Sequence, residues 1–402
     1  MMPKWPGFVG PSYSSQSMIV AGEECINFYP SLIEAGAAKA KSALFPCPGI
    51  VDFATSSDSP GRGIFGENDQ LFAVFGATLS EFTSAGVETV RGTLAMDSNP
   101  ATFATNGNAK NELFITSGGE GYVLDLLTNL LTNVVSNVTF GGQIDGFFVA
   151  LDTATSTLKI SEQLDGQTWD AGQIAQRTAA SDPWLSMLVS RREIYLMGEK
   201  TGEVWYNAGK APFPFAQRPG AFFEVGMAAP LSLAPFGSTM AWLGRSAKGS
   251  GTVYWMNGYS PNRISNDAVE WEIQTYKDAG GITDAIGWSY EQLGHSFYVL
   301  EFPTAGKTRV YDAATNQWHR RGRWSSIDND FKPYRPRFQT AMWDKNIVCD
   351  SQTSALYSLS SLVFTDVGGT ALRRVRRAPH LSAENLKLVL DYFEVECERG
   401  VG

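Results

Sequence analysis

Residues 309–322 read RVYDAATNQWHRRG. Arg309 to Tyr311 has the alternation of a strand, and Gln317 to His319 returns in the same style. Between them, Asp312 can bond its own backbone two residues on, and Asn316 tolerates a left-handed conformation. The stretch is therefore a strand–turn–strand hairpin. The phrase recurs with other residues at 150–160, ALDTATSTLKI. His319 is one of only three histidines in the chain. No second histidine, cysteine or paired carboxylate stands near it in sequence, so a general base or metal ligand is not indicated.

Working outward, the same unit returns along the chain: an apolar strand, a polar turn, an aromatic-rich strand, then a Gly/Asp/Asn turn. It covers 62–82, 103–126, 144–162, 187–207, 233–257, 293–321 and 342–360. Within the first unit, Phe72 and Val74 alternate with Leu71 and Phe75, which sends the two pairs to opposite sheet faces. Gly118-Gly119, Gly202, Gly249, Gly251 and Gly306 supply the turns. Units of this length with three or four short strands predict an all-β fold, a β-propeller of six or seven blades. A β-sandwich or two-sheet solenoid is the competing arrangement.

Composition agrees. The 402 residues are 43% hydrophobic, 18% charged and 12% aromatic, with 40 glycines, which favours strands and tight turns. The net charge of −9 argues against a chain that wraps nucleic acid over its whole surface, although a local basic patch is compatible with it. Cys25, Cys47, Cys349 and Cys397 are widely spaced, without a CxxC, and read as buried free thiols in a reducing compartment rather than as a zinc site. No metal and no cofactor is expected. The N-terminal stretch lacks a long apolar core, so no signal peptide is expected, and the sequon at Asn137 is then silent. The most apolar helix-like stretch, 122–138, is broken by polar residues, so no membrane span is expected.

Three regions are expected: an extended N-terminal arm over 1–50, the propeller body over 51–365, and a basic linker with a C-terminal strand over 366–402. Helix signals are sparse. The two candidates are 31–41 (SLIEAGAAKAK) and 382–390. The segment 161–170, SEQLDGQTWD, is similar to the aspartate box of sialidase-type propellers. Gly166 and Trp169 keep the spacing, while Asp165 sits one residue late. That box is a turn, so it speaks to fold and not to activity.

The densest positive cluster is Arg373, Arg374, Arg376 and Arg377. With Arg320, Arg321 and Arg323 it could form a patch that contacts an acidic partner or DNA phosphates; the competing reading is a solvated linker. No phosphate-loop, HExxH or GxSxG motif is present, so no catalytic residue is assigned.

Three stretches resemble a known family: INFYPSLIEAGAAKAKSALFPCPGI (26–50), RGIF (62–65) and SFYVLEFPTAGKTRVYDAATNQWHRRG (296–322). They are similar to the packaged-DNA stabilisation proteins of short-tailed bacteriophages, also called tail hub or tail accessory proteins. The resemblance implies a structural, non-enzymatic virion protein, made in the host cytoplasm and built into the phage tail. It implies a homohexameric ring below the portal and its adaptor ring, which extends the DNA channel, closes it after packaging and receives the tail needle or tail spikes. Double-stranded DNA would pass through, and no membrane is involved. Family members continue beyond the equivalent of Cys397, so the resemblance implies that 366–402 begins a further domain. A propeller glycosidase or glycan-binding protein is the alternative, and it requires clustered Arg, Tyr and carboxylate side chains at the channel mouth.

Overall fold

The computed structural model describes residues 7–14, 16–17, 22–33, 41–106, 111–178, 180–247, 249–380, 387, 389, 392 and 394–397. Seven antiparallel sheets follow one another along the chain. Blade one is Gly61–Glu67, Gln70–Phe75, Thr78–Phe82 and Glu88–Thr93. Blade two is Thr102–Thr105, Glu112–Ser117, Glu120–Asp125 and Leu131–Ser136. Blade three is Phe140–Ile144, Phe147–Asp152, Thr157–Glu162 and Asp165–Gln176, and blade four is Trp184–Ser190, Glu193–Gly198, Gly202–Asn207 and Phe215–Phe223. Blade five sets Gly226–Met227 and Ala234–Phe236 against Thr239–Ser246, followed by Gly249–Asn257 and Ser260–Arg263. Blade six is Ile286–Gln292, His295–Phe302, Lys307–Asp312 and Gln317–Arg321. Blade seven takes Pro336–Met342, Lys345–Asp350 and Ala355–Ser360 from late in the chain and its fourth strand, Gly49–Thr55, from near the beginning.

The ring is closed by burial. Seven hydrophobic clusters occupy the seven gaps between consecutive blades. Strand Gln70–Phe75 shows how the alternation becomes a ring. Phe72 and Val74 pack with Leu113 and Ile115 of blade two, while Leu71, Ala73 and Phe75 pack with Ile347 and Leu356 of blade seven. Each large side chain buried this way stabilises by roughly 1.5–3 kcal/mol. The two faces of every blade are thus both used, which a sandwich or an open solenoid would not require. Where blade one meets blade seven, space runs out: a Cβ at Gly61 would stand 2.6 Å from the Cβ of Cys349.

The opening hairpin forms as its residues dictate. Asp312 Oδ1 accepts the Ala314 N–H at 2.9 Å, and Asn316 is left-handed at φ 55°. Blade three repeats the device: Asp152 Oδ1 accepts the Ala154 N–H at 3.0 Å, and Ser156 has φ 52°.

Two expectations are corrected. Among the described residues the one α-helix is Asp267–Ala279, in the link from blade five to blade six. Asn266 caps it by accepting the Val269 N–H, Asp267 and Glu270 face its positive end, and Lys277 its negative end. The candidate at 31–41 is not a helix in its described part: Phe28–Leu32 is a strand, paired with Ser42–Pro46, and 34–40 lie outside the described residues. The candidate at 382–390 and most of the expected C-terminal strand also lie outside the described residues. Cys25, Cys47 and Cys349 are buried free thiols, whereas Cys397 is exposed. Among the described residues no helix is long and apolar enough to cross a membrane.

Candidate docking edge

The seven arginines singled out in the sequence come from two separated segments. Strand Gly22–Ile26 brings them to one edge of blade six. Its Ile26 pairs in parallel with Arg320, and its Glu24, Cys25 and Ile26 pair antiparallel with Arg377, Arg376 and Val375 of strand Val375–Arg377. Tyr13–Ser14 pairs with the start of the same strand.

The arginines then divide by direction. Arg376 turns inward, its side chain 4% exposed. It donates to the carbonyls of Gly7, Phe8, Pro11 and Glu24 and to Glu23 Oε2 at 2.8 Å. Arg321 is also buried, ringed by Tyr290, Phe297 and Tyr334. Arg374 lies over Phe364 and Phe28, and burial pulls its pKa below the ordinary guanidinium range. The Nε of Arg323 is buried without a hydrogen-bond partner. Arg320 and Arg377 lie 3.7 and 3.6 Å from the two oxygens of Glu24. Arg373 is exposed, stacked 3.6 Å over the Trp324 ring, and makes no ion pair with any described residue. The outward charge of the edge is therefore carried by Arg373 and Arg377.

Sequence reading missed the acidic partners Glu23 and Glu24, because the pairing that delivers them joins opposite ends of the chain. It also missed a relay that ties the N-terminal hairpin to blade six. Ser31 Oγ lies 3.3 Å from His295 Nε2, and His295 Nδ1 lies 2.8 Å from Asp312 Oδ2, with the Tyr29 ring edge-on to the imidazole.

The remaining candidates are structural. His319 is fully buried. Burial, then the charges of Arg321 and Arg309, hold its pKa well below the usual value, so it is neutral. In the aspartate-box-like turn, Asp165 Oδ1 accepts the Gln167 N–H and Trp169 Nε1 donates to the Gly166 carbonyl. An arginine–tyrosine–carboxylate group does exist between blades four and five. Glu193 accepts from Tyr195 and Tyr259, and its charge is paired with Arg218. Among the described residues no group of three His, Cys, Asp or Glu side chains is placed to hold a metal ion.

The two ends of the propeller differ. The turns joining first to second strands and third to fourth strands all lie at one end. There Val87, Leu127, Leu130, Leu164, Tyr259 and Leu293 are exposed, most of them by more than half. The second-to-third strand turns at the opposite end, including 76–77, 118–119, 153–156, 199–201, 303–306 and 351–354, carry small or polar residues; exposed Met96 and Ile327 sit in the links there.

A closed seven-sheet ring, with the strands Gly22–Ile26 and Val375–Arg377 added to the edge of one blade, defines a β-propeller with an edge and an end suited to contacting other proteins. The chain belongs to the phage family described as bacteriophage P22 Gp10, β-propeller, which matches residues 23–363. That family consists of structural phage proteins of head completion and packaged-DNA stabilisation, so the chain is a virion component. No curated protein matches it in sequence. Among solved structures it is similar to streptogramin B lyase, with a TM-score of 0.51 and 10% identity, covering 77% of this chain and 97% of that one. It is also similar to the extracellular domain of a hybrid two-component system from B. thetaiotaomicron, with a TM-score of 0.50, 8% identity and coverage of 77% and 39%. At these identities the likeness shows the fold alone.

Proposed function

We propose that the chain is a tail hub subunit that assembles as a homohexameric ring below the portal and adaptor. There it extends the DNA channel and stabilises packaged DNA without catalysing a reaction. The observation that carries this reading is the family match, which runs from the first blade-six edge strand into the residues that follow blade seven. The mechanism is geometric. A propeller closed by seven cores is stiff, so copies that meet head to tail through two different, complementary patches repeat one fixed rotation, and six of them make a closed ring. The exposed apolar turns at one end suit seating against another protein. Arg373 and Arg377 add an outward positive charge that orients an acidic partner or passing DNA phosphates. The tail needle or spikes are the partners expected beyond the ring.

The test is light scattering of the purified chain, alone and mixed with its portal–adaptor complex. The expected result is a ring-sized stoichiometric addition to the connector. A chain that leaves the connector's mass unchanged sinks the reading.

A further inference from the structure

Arg321 is the last residue of blade six, and only 3% of it is exposed. Its Nε, Nη1 and Nη2 are all buried without a hydrogen-bond acceptor among the described residues. Around it stand the rings of Tyr290 at 5.0 Å, Phe297 at 5.1 Å and Tyr334 at 5.7 Å. The hydroxyls of Tyr290 and Tyr334 are likewise buried and unbonded. The Tyr290 and Tyr334 hydroxyls and the Cys47 thiol approach the guanidinium as loose hydrogen-bond partners short of good geometry, and burial keeps all three protonated, so none balances its charge.

The groups that act on this charge are the Cys47 thiol and the Tyr290 and Tyr334 hydroxyls rather than a carboxylate. Buried Asp366, which acts on Tyr334, Arg323 and Arg335, accepts from the Val367 N–H, and the other acids of blades six and seven are committed elsewhere. Asp350 is held by Arg335 and Tyr357, Asp312 by His295 and Thr315, and Glu301 by Trp288 and Arg337. Cys47 is fully enclosed, and burial raises its thiol pKa, so it stays protonated. Arg374, with Nε and Nη2 also unbonded, adds a second positive charge near Cys47. The site is thus a buried convergence of donors around one uncompensated cation, at the junction of the N-terminal segment, blade six and blade seven.

We propose that a small monovalent inorganic anion of the halide class binds at Arg321, held by the guanidinium and the Tyr290 and Tyr334 hydroxyls. A hydroxyl can turn its proton toward an anion, and both are free to do so. The aromatic walls favour a weakly hydrated ion over a phosphate, which would bring excess charge and more acceptors than the site can satisfy. The bound anion would lock Cys47 and the strand that follows it against the seam that closes the ring.

The probe is bromide. The full-length protein is crystallised in bromide and the anomalous signal is measured. Thermal melting is followed in bromide, chloride and gluconate at equal ionic strength. The expected results are an anomalous peak beside Arg321 and a melting temperature that climbs by a few degrees with halide but not with gluconate. The halide dependence should vanish in Arg321→Met and weaken in the Tyr290→Phe/Tyr334→Phe double variant, which preserves packing if the first variant fails to fold. No peak at Arg321, or a halide dependence unchanged in the double variant, overturns the proposal. So does an ultraviolet thiolate absorbance in the folded protein that Cys47→Ser removes, because Cys47 would then be the counter-ion.

Discussion

Leu359, in the third strand of blade seven, pairs with Ile50, in a strand from the opposite end of the chain. Both side chains belong to the cluster between blades six and seven. The closure of the ring thus rests on contacts that no local segment can make by itself. Ile50→Ala is expected to cost about 2–5 kcal/mol, through lost burial and the cavity left behind. Val51→Ala, one residue on and 39% exposed, should change stability by less than about 0.5 kcal/mol. Urea unfolding midpoints of the two variants check this. Equal midpoints would mean that the closing strand contributes little.

The same pair explains what the sequence could and could not reveal. Each of the seven repeat units falls within one blade, because a blade's first three strands are joined by short turns whose chemistry is local: Asp152 and Ser156 in one, Gly118 and Gly119 in another. The fourth strand of blade seven was hidden, since Ile50 carries no mark of its distant partner. Strand Gly22–Ile26 was hidden for the same reason, and with it the fact that Arg376 faces inward and Arg373 outward. Charge density in a sequence locates arginines without giving their direction. The helix Asp267–Ala279 was legible in principle: Asn266, then Asp267 and Glu270, then Lys277 and Gly280 are start and stop signals in the right order.

Arg335 forks onto Asp350, with Nε to Oδ1 at 2.8 Å and Nη2 to Oδ2 at 2.6 Å, and the Tyr357 hydroxyl adds a third bond. Burial alone would raise the Asp350 pKa. The Arg335, Tyr357 and Gln352 donors outweigh it and hold the carboxyl below its ordinary value. A depressed folded-state pKa gives stability that is present above the unfolded carboxyl's pKa, about 3.9, and lost as pH falls through the folded value. Melting temperature should therefore drop below about pH 4, and less steeply in Asp350→Ala. That variant should itself cost about 3–5 kcal/mol at neutral pH, since it leaves Arg335 buried and unpaired. Parallel pH profiles for the two proteins would rule out Asp350 as a source of the acid sensitivity.

Arg376 and Arg373 should separate structure from contact. Arg376→Ala removes a guanidinium that holds four backbone carbonyls and Glu23. A loss of about 1.5–3 kcal/mol is expected, with faster amide exchange over residues 7–14 and 22–26. Arg373→Glu removes only an exposed stack on Trp324, so its cost should stay within about 1 kcal/mol. If the edge contacts an acidic partner or DNA, Arg373→Glu with Arg377→Glu weakens attachment to the connector, most strongly at low salt. Unchanged attachment across a salt series would leave these arginines without a contact role.

The apolar turns allow the last separation, between folding and assembly. Leu127, Leu130 and Leu293 are 74%, 64% and 70% exposed, so they contribute little to the cores between blades. Replacing all three with serine should leave the unfolding midpoint within about 0.5 kcal/mol of the parent per site, because no cavity is made and no donor is buried. An end that seats on a protein ring buries these side chains at contact, and each full burial is worth roughly 1.5–3 kcal/mol. The triple variant should therefore bind the connector far more weakly while melting normally. The mirror experiment replaces Met96 and Ile327 at the opposite end. A larger binding loss there would reverse the orientation of the subunit on the connector, with its small, polar hairpin turns facing the adaptor.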